Sequence, residues 1–423
     1  MPSRRSSPAS YGVTMTALPE TFWWGTGASS TQAEGAAPAS DWKAWETAGH
    51  APASGDGNDF ATRYPEDFAL LAGHGLTHHR LSIEWARIEP TEGRRDPAAI
   101  EHYVDMLRTA REVGVHAWVC LHHFSLPGWF SIDQRGFPDT RARTYFWARH
   151  VDFMAETFGD LVFGWQPVNE PSAYAVLGWL EGTAPPGRSG NPERFAEALE
   201  AIHLATFEAA LRLRQTGRPV ATIHNVSPVA PFGNDPAAQG WARTCDQVLV
   251  GCWTGAMRDG VLAVPGRAAI ERPELRDAFD LVGFSYYNGL AVGPDGSFHP
   301  YPADARVGPL GYAPWSEGLP LVLHRLAEEV PEKPLLVCEH GIGTSDDGWR
   351  MSFLRESLGF VEQAVADGID LRGFFHWTGV DNYEWLHGFE VPFGLFDRTR
   401  EPRASLDVLK DAISDRSEGP NPS

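Results

Sequence analysis

Eight short runs along the chain are apolar for most of their length and end in polar or aromatic residues: 22–28, 77–83, 116–123, 163–170, 220–226, 281–288, 335–340 and 372–378. Several show no alternation of apolar and polar positions, which suits strands covered on both faces, as parallel strands are. Between them, segments 64–73, 100–113, 145–158, 192–215, 319–329 and 351–367 place apolar side chains three and four apart, and several close near a glycine. This alternation predicts an α/β fold, a (β/α)8 TIM barrel, as one domain over 18–414. Segments 33–58 and 289–315 read as long βα loops elaborating one face. The Ser-, Pro- and Gly-rich ends, 1–17 and 415–423, read as disordered tails.

In such a barrel, functional groups gather where the strands end. Two ends share one design. FGWQPVNEP (163–171) runs from apolar residues into Asn169, Glu170 and a proline, and PLLVCEHG (334–341) runs into Glu339. A carboxylate ahead of a proline can simply terminate a strand. Two such tips, far apart in sequence, instead suggest a matched pair, because an unpaired acid at the end of a buried strand is desolvated for no structural return. Other expected tips carry Gln32, Arg80, His122, His123, Tyr286, Tyr287 and Trp377, a polar and aromatic ring around one mouth.

With 423 residues, 43% of them hydrophobic and 21% charged, the chain has the composition of a globular protein with a large core. Its net charge of −20 argues against nucleic acid or an anionic membrane surface as partner and favours a neutral or cationic ligand. Cys120, Cys245, Cys252 and Cys338 lack the spacing of a disulfide framework or zinc site and are expected as reduced thiols. No secretory signal pattern follows the basic opening, no run is long enough to span a bilayer, and a cytoplasmic location is expected.

Two carboxylates facing each other can do acid and base work, and one can serve as a nucleophile. The chain is rich in tryptophan, 16 in all, and a sugar's C–H faces pack on indole while its hydroxyls need amide, imidazole and carboxylate partners. Gln32, His123, Asn169 and Glu384 supply such partners, so the combination points to carbohydrate. Trp23, Trp24, Trp118 and Trp147 read as core. Trp377 and Trp385, beside Asp381, Asn382 and Glu384, read as functional. The pairs His78-His79 and His122-His123 sit on strands, where neighbours face opposite ways and cannot easily share an ion, so no metal site is expected. Asn225-Val226-Ser227 matches a glycosylation acceptor and reads as chance.

From Phe22 to Asp397 the chain resembles family 1 of the glycoside hydrolases, the retaining β-glucosidase and β-galactosidase type. The motifs carrying the likeness are FWWGTGASSTQAEG, HRLSIEWARIEP, LHHFSLPGWF, VNEPSAYAVLGWLEGTAPPG, GFSYYN, VCEHG and FFHWTGVDNYEWLHGFEVPFGL, in that order. The resemblance implies Glu170 as acid/base, Glu339 as nucleophile and Arg80 as the buried arginine beside it. It implies sugar contacts from Gln32, His123, Asn169, Tyr287, Trp377, Glu384, Trp385 and Phe393. A small β-glycoside or short oligosaccharide is then the partner, cleaved by double displacement from carboxyl groups about 5–5.5 Å apart, with no cofactor. Transglycosylation on the same scaffold, or sugar binding without catalysis, are the alternatives.

The sequence departs from the family pattern at four places. Ser285 and His340 stand where Asn is usual, Phe124 where Trp is usual, and Pro167-Val168 where Thr-Phe is common. Ser285 and His340 are expected to flank the nucleophile. Phe124, Trp129, Trp179 and the loop near Trp315 are expected to shape the acceptor side. Members that cleave 6-phosphoglycosides carry Ser in place of the closing-motif glutamate; Glu384 and the uncharged Val391-Pro392 argue against a phosphorylated substrate.

Overall fold

A computed structural model describes residues 18–414, so the expected tails at 1–17 and 415–423 lie outside the described residues. The eight runs form eight strands: β1 (Trp23–Gly27), β2 (His78–Ser82), β3 (His116–Cys120), β4 (Gly164–Gln166), β5 (His224–Asn225), β6 (Val282–Tyr286), β7 (Leu335–His340) and β8 (Leu371–Trp377). They lie in one sheet in the order β4-β3-β2-β1-β8-β7-β6-β5. Every ladder in it is parallel. A parallel bridge between Trp165 and Val220 joins the two ends, so the sheet closes on itself as a (β/α)8 barrel.

Several expected strands are shorter than their apolar runs. Run 163–170 is a strand only over Gly164–Gln166, yet it stays tied to both neighbours: Asn169 N donates to the His122 carbonyl at 2.8 Å and Glu170 N to the Ile223 carbonyl at 2.9 Å. The six helical segments form, with Ala142–Trp147 wound as a π-helix ahead of Ala148–Phe158. Not expected were Pro236–Asp246 and Cys252–Asp259 after β5, and Ser405–Ser414 at the end. The two long loops also hold structure. Helix Asp41–Thr47 lies in the first, and strands Gly289–Val292 and Phe298–Tyr301 of a small separate sheet lie in the second. Short elements of this kind fall below the length at which periodicity is readable.

The barrel interior is filled by Trp118, Ala221, Ile223, Leu281, Leu336, Cys338 and Phe375, with Trp23 and Phe163 packed at one end. The larger apolar layer lies between the strands and the surrounding helices. Strand alternation sorts the histidine pairs as expected. His79 bonds Thr26 Oγ1 at 2.9 Å, while its neighbour His78 stacks with Phe375 in the interior. Cys120, Cys252 and Cys338 are buried free thiols.

Strand β7 breaks the alternation. Its ladder to β6 pairs Val337 with Phe284 but Glu339 with Ser285, leaving Cys338 as one extra residue. A bulge of this kind re-aims the side chains that follow it. Cys338 and Glu339 therefore both face the interior, and His340 turns outward.

Candidate active site

At the mouth of the barrel, Arg80 is the central cation. It lies midway along β2, is fully buried, and gives its three kinds of donor to three acceptors: Nη1 to the Glu339 carboxylate, Nη2 to Asn169 Oδ1 at 2.6 Å, and Nε to Gln166 Oε1 at 2.5 Å. Tyr287, one residue past β6, donates its hydroxyl to Glu339 Oε2 at 2.7 Å. Glu339 is thus held at both oxygens. Asn169 continues the chain of contacts, its amide lying 3.2 Å from His123 Nε2.

Glu170 is buried near enough to Glu339 to feel its charge. Its backbone is left-handed (φ 43°), and Pro171 follows as the first residue of helix Pro171–Ala175. Phe124 and Trp385, two other residues of this mouth, also have positive φ (64° and 43°). For non-glycine residues such backbone costs on the order of 1–3 kcal/mol each and persists where surrounding contacts impose it. The Ser285 hydroxyl donates to Glu170 Oε1, and the Asn225 amide also reaches this carboxyl.

The remaining expected residues close the ring. Gln32, on the short helix after β1, donates Nε2 to Glu384 Oε2 at 3.1 Å and to the Tyr383 carbonyl at 2.8 Å. The His123 ring stacks toward Trp377 and Trp385, with centroids 5.7 and 6.1 Å away. Phe393 packs edge-on to Tyr287 at 6.2 Å and with Trp377 and Val391 forms an apolar wall. Room for the Trp377 ring exists because residue 27 is glycine; a Cβ there would meet Trp377 Cε3 at 2.8 Å. The loop carrying Glu384 and Trp385 is anchored by Asp381, which pairs with Arg403 at 2.5 Å and accepts from Gly394 N at 2.7 Å. The eleven residues given site roles by the family resemblance meet at one mouth, but His122 and Tyr286, also expected in the ring, turn away, His122 against Phe137 and Tyr174 and Tyr286 against His340.

Electrostatics divides the two glutamates. Burial pushes Glu170 up to about 8, helped by the charge of Glu339 and opposed by the Ser285 and Asn225 hydrogen bonds and by Arg80. Burial also raises Glu339, but there the guanidinium of Arg80 and the Tyr287 hydroxyl pull directly against it. Glu339 thus has a cation and a phenol in direct contact, whereas Glu170 is bonded by a neutral hydroxyl. Glu384 is likewise pushed up to about 8, by burial first and then by the charges of Glu339 and Glu170.

Ser285 and His340 flank Glu339 as expected, but their side chains bond other groups. Ser285 pairs with Glu339 across the ladder, yet its hydroxyl binds Glu170. His340 takes no part: its ring bonds the Tyr286 carbonyl at 2.7 Å and Ser357 Oγ at 2.8 Å, and stacks on Phe353 of helix Asp347–Ala366. Trp129 does not shape the mouth either, being buried against Trp85 and Phe146 with Nε1 donating to the Glu89 carbonyl at 2.8 Å. Phe124 does belong there, packing on His123 and Trp385.

The sequence reading missed Gln166, Asn225 and Tyr312. Tyr312, in the second long loop, lies against Tyr287 and within the fields of Glu384 and Glu170. Asn225 carried a usable signal, since it is a lone amide at the penultimate position of the fifth apolar run. Tyr312 carried none, because its loop has no period.

The sequence profile of Glycosyl hydrolase family 1 matches residues 14–416. The chain belongs to this family. As a family 1 member it is a glycoside hydrolase, a retaining β-glycosidase. It is 29% identical to "Thermostable beta-glucosidase B" of Thermobispora bispora over 94% of this chain and 90% of that protein. It is 27% identical to "Beta-glucosidase A" of Thermotoga maritima over 89% of this chain and 92% of the other. Among solved structures, the β-glycosidase from Pyrococcus horikoshii superposes with a TM-score of 0.84 at 27% identity, covering 95% of each chain. No helix among the described residues is long and apolar enough to cross a membrane.

Proposed function

We propose that this family 1 enzyme releases terminal β-D-glycosyl units, β-glucosides among them, with Glu339 as nucleophile and Glu170 as acid/base. The observation that carries the reading is the asymmetric holding of the two glutamates: one fixed at both oxygens by a cation and a phenol, the other buried and sharing its field. Glu339 attacks the anomeric carbon while protonated Glu170 gives its proton to the leaving oxygen. The glycosyl ester on Glu339 is then opened by a water that Glu170, now ionised, deprotonates. Arg80 stabilises the charge that Glu339 regains as the ester breaks.

The glycone lies on Trp377, with Gln32, Glu384 and Trp385 at its far hydroxyls, His123 between, and Asn169 near the 2-hydroxyl. Removing the partner of a buried hydroxyl costs about 1–3 kcal/mol. Glu384→Ala is therefore expected to lower kcat/KM for aryl β-glucosides by roughly 10- to 100-fold. On a glucoside lacking the hydroxyl that Glu384 binds, the same variant should lose little. Equal losses on both substrates would remove Glu384 from the sugar site.

The pH profile follows from the same contacts. Activity requires Glu170 protonated, so kcat/KM should fall as pH rises through about 8, where that group ionises. It also requires Glu339 ionised, which sets the acid limb. Tyr287→Phe removes a donor that lowers Glu339, so the acid limb should move to higher pH while the alkaline limb stays. A profile in which only the alkaline limb moves would reverse the assignment of the two groups.

A further inference from the structure

Below the two glutamates, Gln166 ends β4 with its amide inside the barrel and fully shielded from solvent. Its Oε1 accepts from Arg80 Nε at 2.5 Å, and its Nε2 donates to the Thr222 carbonyl at 3.1 Å and to Cys338 Sγ at 2.9 Å. One side chain thus joins β2, β4, the run leading into β5, and β7. Burying an amide is costly unless each of its groups finds a partner, and an apolar side chain of equal volume would fill the same space at no such cost.

The partners are what give the amide a consequence. Arg80 is the cation on Glu339. Cys338 is the extra residue of the β7 bulge, the one whose insertion turns Glu339 inward. A planar guanidinium bonded through Nε, Nη1 and Nη2 to three separate acceptors has its rotation fixed. Without the acceptor for Nε, a buried donor is orphaned. The ready relief is a turn of the guanidinium, and that turn carries Nη1 off Glu339 and Nη2 off Asn169.

We propose that Gln166 is a positioning residue for the reaction: by holding Arg80 from below and Cys338 from across the barrel, it fixes the aim of the Glu339 carboxylate and the Asn169 amide. The inference rests on the reading of Glu339 as nucleophile. It assigns Gln166 no contact with substrate; its effect passes through Arg80 and the bulge.

Gln166→Met is the first test, because methionine is close in volume yet can neither accept from Arg80 nor donate to Cys338. Misplacing a reacting group by even 1 Å costs on the order of 100-fold, so the variant should lose roughly 10- to 100-fold in kcat/KM for an aryl β-glycoside. Its acid limb should move to higher pH, since Glu339 loses an oriented donor. The titratable groups around Glu339 are Arg80, Tyr287, Glu170, Glu384, Cys120 and Cys338; the substitution removes none of them and acts through the placement of Arg80 and Cys338. Gln166→Glu keeps an acceptor for Nε but adds a carboxylate competing for Arg80, and should move the acid limb further the same way. Thermal unfolding of each variant checks that it is folded, and if Gln166→Met fails to fold the decision passes to Gln166→Glu. A folded variant whose kcat/KM and acid limb match the wild type overturns the proposal, even if its melting temperature has dropped, because Gln166 would then be structural only. Failure of the underlying reading looks different: it is a Glu339→Ala enzyme that still hydrolyses.

Discussion

Glu339→Ala is expected to abolish hydrolysis of every β-glycoside, whatever the leaving group, by a factor on the order of 10⁴ to 10⁶. The first chemical step makes a bond to this carboxylate, and no leaving-group acidity substitutes for a missing nucleophile. The substitution also leaves Arg80 and Tyr287 aimed at an empty position, a preformed site for a small anion. Added azide or formate, entering from the side Glu339 occupied, should restore turnover of an activated aryl glycoside. The azide product should have the α configuration, because a single displacement inverts the anomeric carbon. Product configuration by NMR is the measurement. A β-azide, or substantial activity without an added anion, would show that the covalent bond forms elsewhere.

Glu170→Ala should behave in the opposite way. A departing dinitrophenolate hardly needs a proton, so formation of the glycosyl-enzyme from such a substrate should be nearly unimpaired, and the intermediate should accumulate as a burst because no base activates water. For an alkyl glycoside or disaccharide the same variant should lose about 10²- to 10⁴-fold already in the first step. Azide should again rescue the aryl substrate, now with a β product, since two inversions occur. The alkaline limb in kcat/KM for the activated substrate should lose the contribution of Glu170, leaving Glu384 as the other group raised to about 8. Equal losses on both substrate classes would remove Glu170 from the proton-transfer role. The two alanine variants together give opposite stereochemical outcomes from one added reagent, a contrast that general destabilisation cannot imitate.

Ser285 and His340 show why the departures from the family pattern needed the structure. Both lie beside Glu339 in sequence or across the ladder, and adjacency alone suggested a shared influence on it. In the fold, Ser285 serves Glu170, while His340 is locked between Tyr286, Ser357 and Phe353 behind the strand. Trp129 makes the same point from the opposite direction: an aromatic residue in a motif that reaches the mouth can still be core, once its indole N–H has a buried carbonyl to bind.

What the sequence by itself determined was the barrel's eight strands and the placement of Glu170, Glu339, Arg80 and the sugar-facing residues at strand ends. The strands and the two carboxylate tips follow from apolar periodicity and from the cost of stranding a carboxylate at the end of a buried run, both local properties, while the roles of Arg80 and the sugar-facing residues came from the family resemblance. Only the tertiary structure decided which neighbours each glutamate has. A single extra residue, Cys338, reverses the facing of everything after it in β7, so strict alternation from Leu336 and Cys338 would have put His340 inside and Glu339 out. Whether a strand carries such a bulge depends on register against the strands beside it, and register is settled by packing around the closed barrel, with the amide of Gln166 and the guanidinium of Arg80 among the contacts that close it.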